Sequence, residues 1–236
     1  MIKGIYTVAR SLEHRTKNID VIANNLANIN TTGYKREIPF SEYIDEFGQT
    51  EIKKFTSQQQ GESFLTSNPL DAAIYGDGFF ALKNEDGKIE ITRDGRFKIS
   101  DEGFLTDANG KKVLGRKGVI NMEDTLSQKN SIILISSTGE IKVGDQTLDT
   151  LLVVKVDNPE ELERSGGSNF VINDEPFSAA PESEYKVSQG YLEQSNTNPI
   201  VEMESMIQLN KAYETSQKII NALDQSLDHA NQIGRI

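Results

Sequence analysis

Cysteine and tryptophan are missing from all 236 residues, and histidine occurs twice. Without cysteine there is no thiolate nucleophile, no disulfide framework and no thiolate metal site. Two histidines, His14 and His229, are too few for a zinc site unaided by thiols. They sit near opposite ends of the chain on stretches that read as amphipathic helices, where neither meets the rigid scaffold a Ser–His–Asp centre needs. Both read as surface residues. Lysine and arginine are outnumbered, 25 against 36 acidic residues, for a net charge of −11. Nucleic acid is therefore not an expected partner, since phosphate binding needs clustered cations. No apolar run approaches the roughly 18 residues of a membrane span, so no membrane insertion is expected. Met1–Arg10 is interrupted by Lys3, Gly4 and Arg10, so a cleaved leader is not expected either. Any passage out of the cytoplasm should use a route that does not need one. Hydrophobic residues make up 36% and aromatics 7%. That is thin for one compact globule, and it points to an extended chain or one that completes its burial against a partner.

What is present is unevenly placed. Six basic residues against two acidic ones give residues 1–36 a charge of +4 and leave −15 on the remainder. Such asymmetry fits either solvated surface or steering between unlike faces of neighbouring subunits. Along the same segment Ile2, Ile5, Ala9, Leu12, Thr16, Ile19, Ala23 and Leu26 recur in steps of three and four, with Tyr6 and Ile22 beside them. A heptad seam of this kind belongs to helix–helix packing, and this seam and the one near the other end are expected to be assembly surfaces between copies of the chain. The Asn28–Gly33 stretch should end the helix, Gly33 serving as a left-handed cap. Near the other end, Asn198 reads as an N-cap, Pro199 as a first-turn proline, and Glu202 and Glu204 as favourable at a helix start. Met206, Leu209, Tyr213, Ser216, Ile220, Leu223, Leu227 and Ala230 then repeat the seam, on a helix long enough to span about 50 Å.

Between the helices the texture changes to short apolar runs punctuated by Gly and Asp turns. Ile74–Leu82, Ile89–Thr92, Phe97–Ile99, Phe104–Thr106, Ser131–Ile135, Ile141–Val143, Leu148–Val156 and Asn169–Ile172 read as strands. Leu148–Val156 stands out as the long one. The expected fold is α+β: long N- and C-terminal helices of coiled-coil type packed together, with a central antiparallel β-rich domain. The expected boundaries are an N-terminal helix over 1–34, an extended connector over 35–61, the β domain over 62–190 and the C-terminal helix over 191–236.

Several phrases invite a chemical reading and fail it. Gly76-Asp77-Gly78-Phe79-Phe80-Ala81 has the spacing of a dinucleotide fingerprint. That fingerprint works where its glycines open a helix onto pyrophosphate, and here a strand-like run follows. Six residues separate Gly103 from Gly110 where a phosphate loop has four between its glycines. Asp107-Ala108-Asn109-Gly110 lacks the remaining oxygen ligands of a calcium loop. The carboxylates are many but unplaced, and no catalytic residue, cofactor, metal or small-molecule substrate is expected. The Asn18, Asn24, Asn25 and Asn28 face reads either as solvated or as hydrogen-bonding between subunits.

Three phrases remain. Ile22-Ala23-Asn24-Asn25-Leu26-Ala27-Asn28 through Thr32-Gly33-Tyr34-Lys35 resembles the N-terminal signature of bacterial flagellar rod and hook proteins. Asn68 through Gly76-Asp77-Gly78-Phe79-Phe80, followed by Thr92-Arg93-Asp94-Gly95, is similar to the family's central motif. Gln189 to Pro199, then Met203 to Tyr213, resembles its C-terminal one. The resemblance implies an uncleaved structural subunit of the flagellar basal-body rod, exported by the type III apparatus. Its implied partners are copies of itself, other rod proteins and that apparatus. It also implies that Phe40 and Ile44, in Phe40-Ser41-Glu42-Tyr43-Ile44, form a segment presented to the export gate; the same residues would serve equally as a small apolar clasp. The Asn198-Pro199 junction, the Asn158-Pro159 turn and the closing residues 230–236 favour the proximal rod type over the distal type, which has a somewhat longer chain. A secreted adhesin or sheath module and a wall-acting hydrolase remain as alternatives of other classes.

Overall fold

The computed structural model describes residues 2–39, 55–123, 132–144, 146–158, 162–171 and 177–233. Two long helices, α1 (Ile2–Ala27) and α2 (Pro199–Ile233), flank a run of short strands, so the class is α+β. By packing, the chain divides into two units. One holds α1, β1 (Glu37–Ile38) and α2; the other holds the described parts of residues 28–36 and 56–197.

In the helical unit α1 and α2 pack along one another. Asn198 caps α2, its Oδ1 accepting from the backbone N–H of Ile200 at 3.0 Å and of Val201 at 3.4 Å. Pro199 then takes the first helical position, where a missing N–H costs nothing. Covered on α2 are Glu202, Met206, Leu209, Tyr213, Ser216, Ile220, Leu223 and Leu227, with Ser205 and Ala212 half-buried beside them; Ala230 of the expected seam lies outside the described side chains. On α1 the covered line is a different one. Asn18, Ile22 and Asn25 are buried, and Ser11 and Arg15 continue them half-buried. Of the expected seam, Leu12, Ile19 and Leu26 are half-buried while Ala9, Thr16 and Ala23 are exposed. One residue of a helix is about 100° of rotation, so the intramolecular face lies about a quarter-turn from the apolar stripe. Ile2 and Ile5 lie in the first turns of α1, whose side chains fall outside the described set. Residues 40–54 also fall outside it, Phe40 and Ile44 included.

The β-rich unit is built from antiparallel pairs. Its largest sheet centres on β5 (Phe79–Lys83), which pairs with β6 (Ile89–Thr92), with β9 (Lys112–Gly115) and with β14 (Val153–Val156). Successive residues of a strand face opposite sides, so β5 feeds two cores. Phe80 and Leu82 join one with Ile74, Phe97, Val113, Leu151 and Val187; Phe79 and Ala81 join the other with Ile91, Val154, Val156 and Phe170. Edge-to-face rings fix both sides, Phe80 on Phe97 at 5.1 Å and Phe79 on Phe170 at 6.1 Å.

Two long runs are broken where a single strand was expected. Ile74–Leu82 is interrupted at Gly76-Asp77-Gly78, which separates β4 (Ala72–Gly76) from β5. The two strands take different partners, β4 pairing with β18 (Tyr185–Gln189). Leu148–Val156 is split into β13 (Gln146–Thr150) and β14. The first belongs to a three-stranded meander with β11 (Ile133–Ile135) and β12 (Glu140–Val143), the second to the large sheet. Between them the N–H of Leu151 donates to Gly139 O and that of Leu152 to Leu114 O, so the chain changes sheets without losing its backbone bonds.

Candidate functional site

Residues 28–36, which carry most of the Thr-Gly-Tyr-Lys phrase, are seated among the strands of the β-rich unit. Each of the four has a specific partner there. The carbonyl of Thr32 accepts a bond from Ser168 Oγ at 2.6 Å. The N–H of Gly33 donates to Glu193 O at 2.8 Å. Gly33 also has φ +66°, and a Cβ on it would lie 2.3 Å from Asp94 N. A side chain cannot fit between those backbones, so glycine is required. α1 ends at Ala27, which makes Gly33 the contact point of a turn and not the helix cap that the sequence suggested. Tyr34 lies beneath Arg164, whose guanidinium is 4.1 Å from the ring centroid and 5.0 Å from that of Phe170, and which also donates to Lys35 O.

Lys35 is the deepest of the four, with no exposed surface. Its Nζ donates to Glu193 Oε1 at 2.6 Å and to Gln59 O at 2.8 Å. The same Oε1 accepts the N–H of Gly61 at 3.0 Å. Glu193 Oε2 accepts from Arg93 Nη1 at 3.3 Å, and Arg93 reaches on to Gly76 O at 2.8 Å and over the ring of Phe79. Two cations thus share one carboxylate in the interior. Burial is the main cause that holds both Lys35 and Arg93 below their ordinary values, and Glu193 opposes it. Asn196 completes the seat. Its Oδ1 accepts from Arg36 N at 2.6 Å while Nδ2 donates to Ser57 O and Gln59 O. The central motif makes the other wall, where the N–H of Ala72 donates to Gly95 O.

In the helical unit Asn25 plays a comparable part. Fully buried, it donates from Nδ2 to Glu37 O at 2.8 Å and accepts from Glu37 N at 2.9 Å, then touches Glu202 Oε2 at 3.4 Å. The asparagine face is therefore neither wholly solvated nor spare. Asn18 and Asn25 are turned into the chain's own interior, and Asn24 stays exposed. An amide can mimic a strand neighbour for one residue, and that pairing joins the Asn25 face of α1 to β1.

Neither histidine shares a cluster with other metal-ligating side chains, and no group able to hold a metal occurs among the described residues. His14 is half-buried on α1 and His229 exposed on α2. Gly78 leads into β5 and not into a helix, which removes the context a dinucleotide fingerprint needs. The sequence marked Gly76, Asp77, Gly78, Phe79 and Phe80 as a phrase; their roles are a strand break and two core anchors. Lys35, Arg93, Glu193 and Asn196 all stood inside motif phrases, yet nothing marked them as mutual partners. Charged residues so far apart in the chain offer no periodic signal.

The comparisons with known proteins follow the same three phrases. Residues 5–35 match the model of the flagella basal body rod protein. Residues 73–143 match the D1 domain of flagellar hook protein FlgE/F/G, and residues 188–233 the C-terminal region of flagellar basal body rod FlgEFG proteins. Over 237 residues the chain is 30% identical to the flagellar basal-body rod protein FlgF of Mesorhizobium japonicum, covering 98% of this chain and 97% of that one. It is 31% identical over 271 residues to the flagellar basal-body rod protein FlgG of Borreliella burgdorferi, each chain being covered completely. With FlgF of Buchnera aphidicola subsp. Schizaphis graminum the identity is 29% over 250 residues, covering 99% and 98% of the two chains.

Proposed function

The chain belongs to the flagellar basal-body rod protein family, and from that premise we propose that it is a rod subunit that assembles with other rod components through the outer faces of its terminal helices. It is a structural protein and not an enzyme. The observation that carries the helix reading is the two-sidedness of α2. Its covered line runs from Glu202 to Leu227, while Ile200 and Ile207 lie roughly opposite at 100° per residue and Met203 about a quarter-turn away on the same side. Ile200, Met203 and Ile207 are 73%, 48% and 55% exposed. An apolar stripe opposite a packed seam is an unfilled face, and large exposed apolar patches mark interaction sites. The half-covered Leu12, Ile19 and Leu26 of α1 and the exposed Tyr6 add to it. Repeated head-to-tail contacts that do not close generate a helical shaft, and helices interlocked in coiled-coil fashion give it torsional stiffness. The bulk of the β-rich unit then serves as spacing and sleeve. The experiment is substitution on the outer stripe: Ile200→Asp or Met203→Asp leaves the purified chain folded and abolishes rod assembly and swimming. Normal swimming by both variants overturns the reading.

The proximal, FlgF-type position is the finer assignment. Matched length supports it: 237 aligned positions with the Mesorhizobium FlgF against 271 with the Borreliella FlgG, for a chain of 236 residues. Complementation decides it, since the gene should restore motility to a strain lacking FlgF and not to one lacking FlgG. Export by the flagellar type III route accompanies this assignment, with residues 40–44 as the element offered to the gate. Deleting residues 40–44 should leave the protein in the cytoplasm. Among the described residues no helix is long and apolar enough to cross a membrane.

A further inference from the structure

Lys35, Arg93 and Glu193 come from three distant parts of the chain, separated by up to 158 positions. Each lies in a different matched segment, residues 5–35, 73–143 and 188–233. The side chains of Lys35 and Glu193 are 0% and 1% exposed in their ion pair, and that of Arg93 is 5% exposed. Glu193 faces both cations; Asp77 adds a second negative charge to the field on Arg93, whereas Lys35 has Glu193 as its counter-charge. An interior charge left unpaired is strongly destabilising, whereas a pair replaced by apolar groups is often tolerated. Arg93 has other support, from Gly76 O, Ile74 O and the Phe79 ring. Lys35 has Gln59 O besides Glu193.

We propose that Lys35, Glu193 and Arg93 form an electrostatic latch in which residues 28–36 seat in the β-rich unit only once Glu193 is in place, Glu193 being the group that closes it. The cluster forms when the segment after α1 and the segment before α2 have both reached the Arg93 turn. With the Glu193 segment away, Lys35 is stranded as a buried cation and the seat opens; with residues 28–36 away, Arg93 and Glu193 stay paired. The bonds that open together are those on the same carboxylate and its strand: Gly33 N to Glu193 O, Lys35 Nζ to Glu193 Oε1 and Gly61 N to Glu193 Oε1. A chain with one end unseated is thereby kept distinct from a completed one. The latch rests on the fold of this unit and is independent of the rod reading.

The test is amide exchange on the full chain, comparing wild type, Lys35→Met, Glu193→Gln and the double variant. Glu193→Gln strands Lys35 and takes one counter-charge from Arg93, so the amides of Gly33 and Gly61 should exchange ~100-fold faster or more, while those of β5 and β6 keep their protection. Lys35→Met leaves the Arg93–Glu193 pair and should stay near wild type. Adding Lys35→Met to Glu193→Gln removes one stranded cation and should recover at least ~10-fold of the lost protection. A cluster that acted as hydrogen bonds alone would leave the double variant no better than Glu193→Gln. That result overturns the latch, as does equal loosening of β5 and β6, or a Lys35→Met effect as large as that of Glu193→Gln. If Glu193→Gln yields no folded protein, the double variant decides: its folding supports the latch and its failure overturns it.

Discussion

Gly33 and Lys35, two positions apart, show how much of the seat is set by single residues. Gly33 combines a left-handed backbone with an approach to Asp94 that leaves no room for a Cβ. Gly33→Ala should lower the stability of the β-rich unit by about 2 kcal/mol or more, since backbone strain alone costs about 1–3 kcal/mol; denaturant unfolding measures it. Lys35 gives a pH signature. Burial lowers its pKa in the folded chain from the ordinary 10.5. Between that lowered value and 10.5 the unfolded chain binds more protons, so the Lys35 contribution to stability rises with pH through the window and is lost as pH falls through it. Wild type should therefore gain on Lys35→Met as the pH is raised toward 10.5, in unfolding series run side by side. A flat difference would mean that the amine titrates normally. The left-handed backbone of Gly33 was legible in the sequence; its approach to Asp94 and the burial of Lys35 were not, since a lysine between Tyr34 and Arg36 reads as a solvated charge.

At the scale of elements the sequence was legible where a period persisted. Steps of three and four marked both helices, and on α2 they marked the covered face as well. On α1 they marked the apolar stripe, but the buried face follows Asn18, Ile22 and Asn25. Periodicity counts apolar side chains and is blind to an amide that pairs with backbone. Asn25→Ala removes both bonds to the Glu37 backbone and should cost the helical unit about 1–3 kcal/mol, at about 0.5–1.5 kcal/mol for each bond lost. Thermal melting followed by circular dichroism checks it, and Asn24→Ala, at an exposed position, is the control. Among the strands, the short runs bounded by Gly and Asp were legible and the long ones misled. Within Leu148–Val156, residues 151–154 are apolar without a break because the crossing at Leu151 and the start of β14 are buried. A continuous apolar run cannot distinguish one strand from two that change sheets.

For the whole molecule, the composition pointed to burial completed elsewhere, and the structure divides that burial in two. α1 and α2 cover one face of each other within the chain, so the helix pair does not wait for a neighbour to form. Ile200, Met203, Ile207 and Ile219 on α2 remain outside that pairing. Stability and assembly should accordingly separate. Ile22→Asp, in the covered line, unfolds the helix pair; Met203→Asp, on the outer stripe, leaves the melting temperature unchanged and stops assembly. The most direct measurement is cryo-microscopy of basal bodies built with this protein, at a resolution that shows side chains. The account predicts Ile200, Met203 and Ile207 buried against helices of adjacent subunits, with Lys35 still on Glu193 of its own chain. Helices that touch nothing beyond their own chain, with that stripe open to solvent, would contradict it.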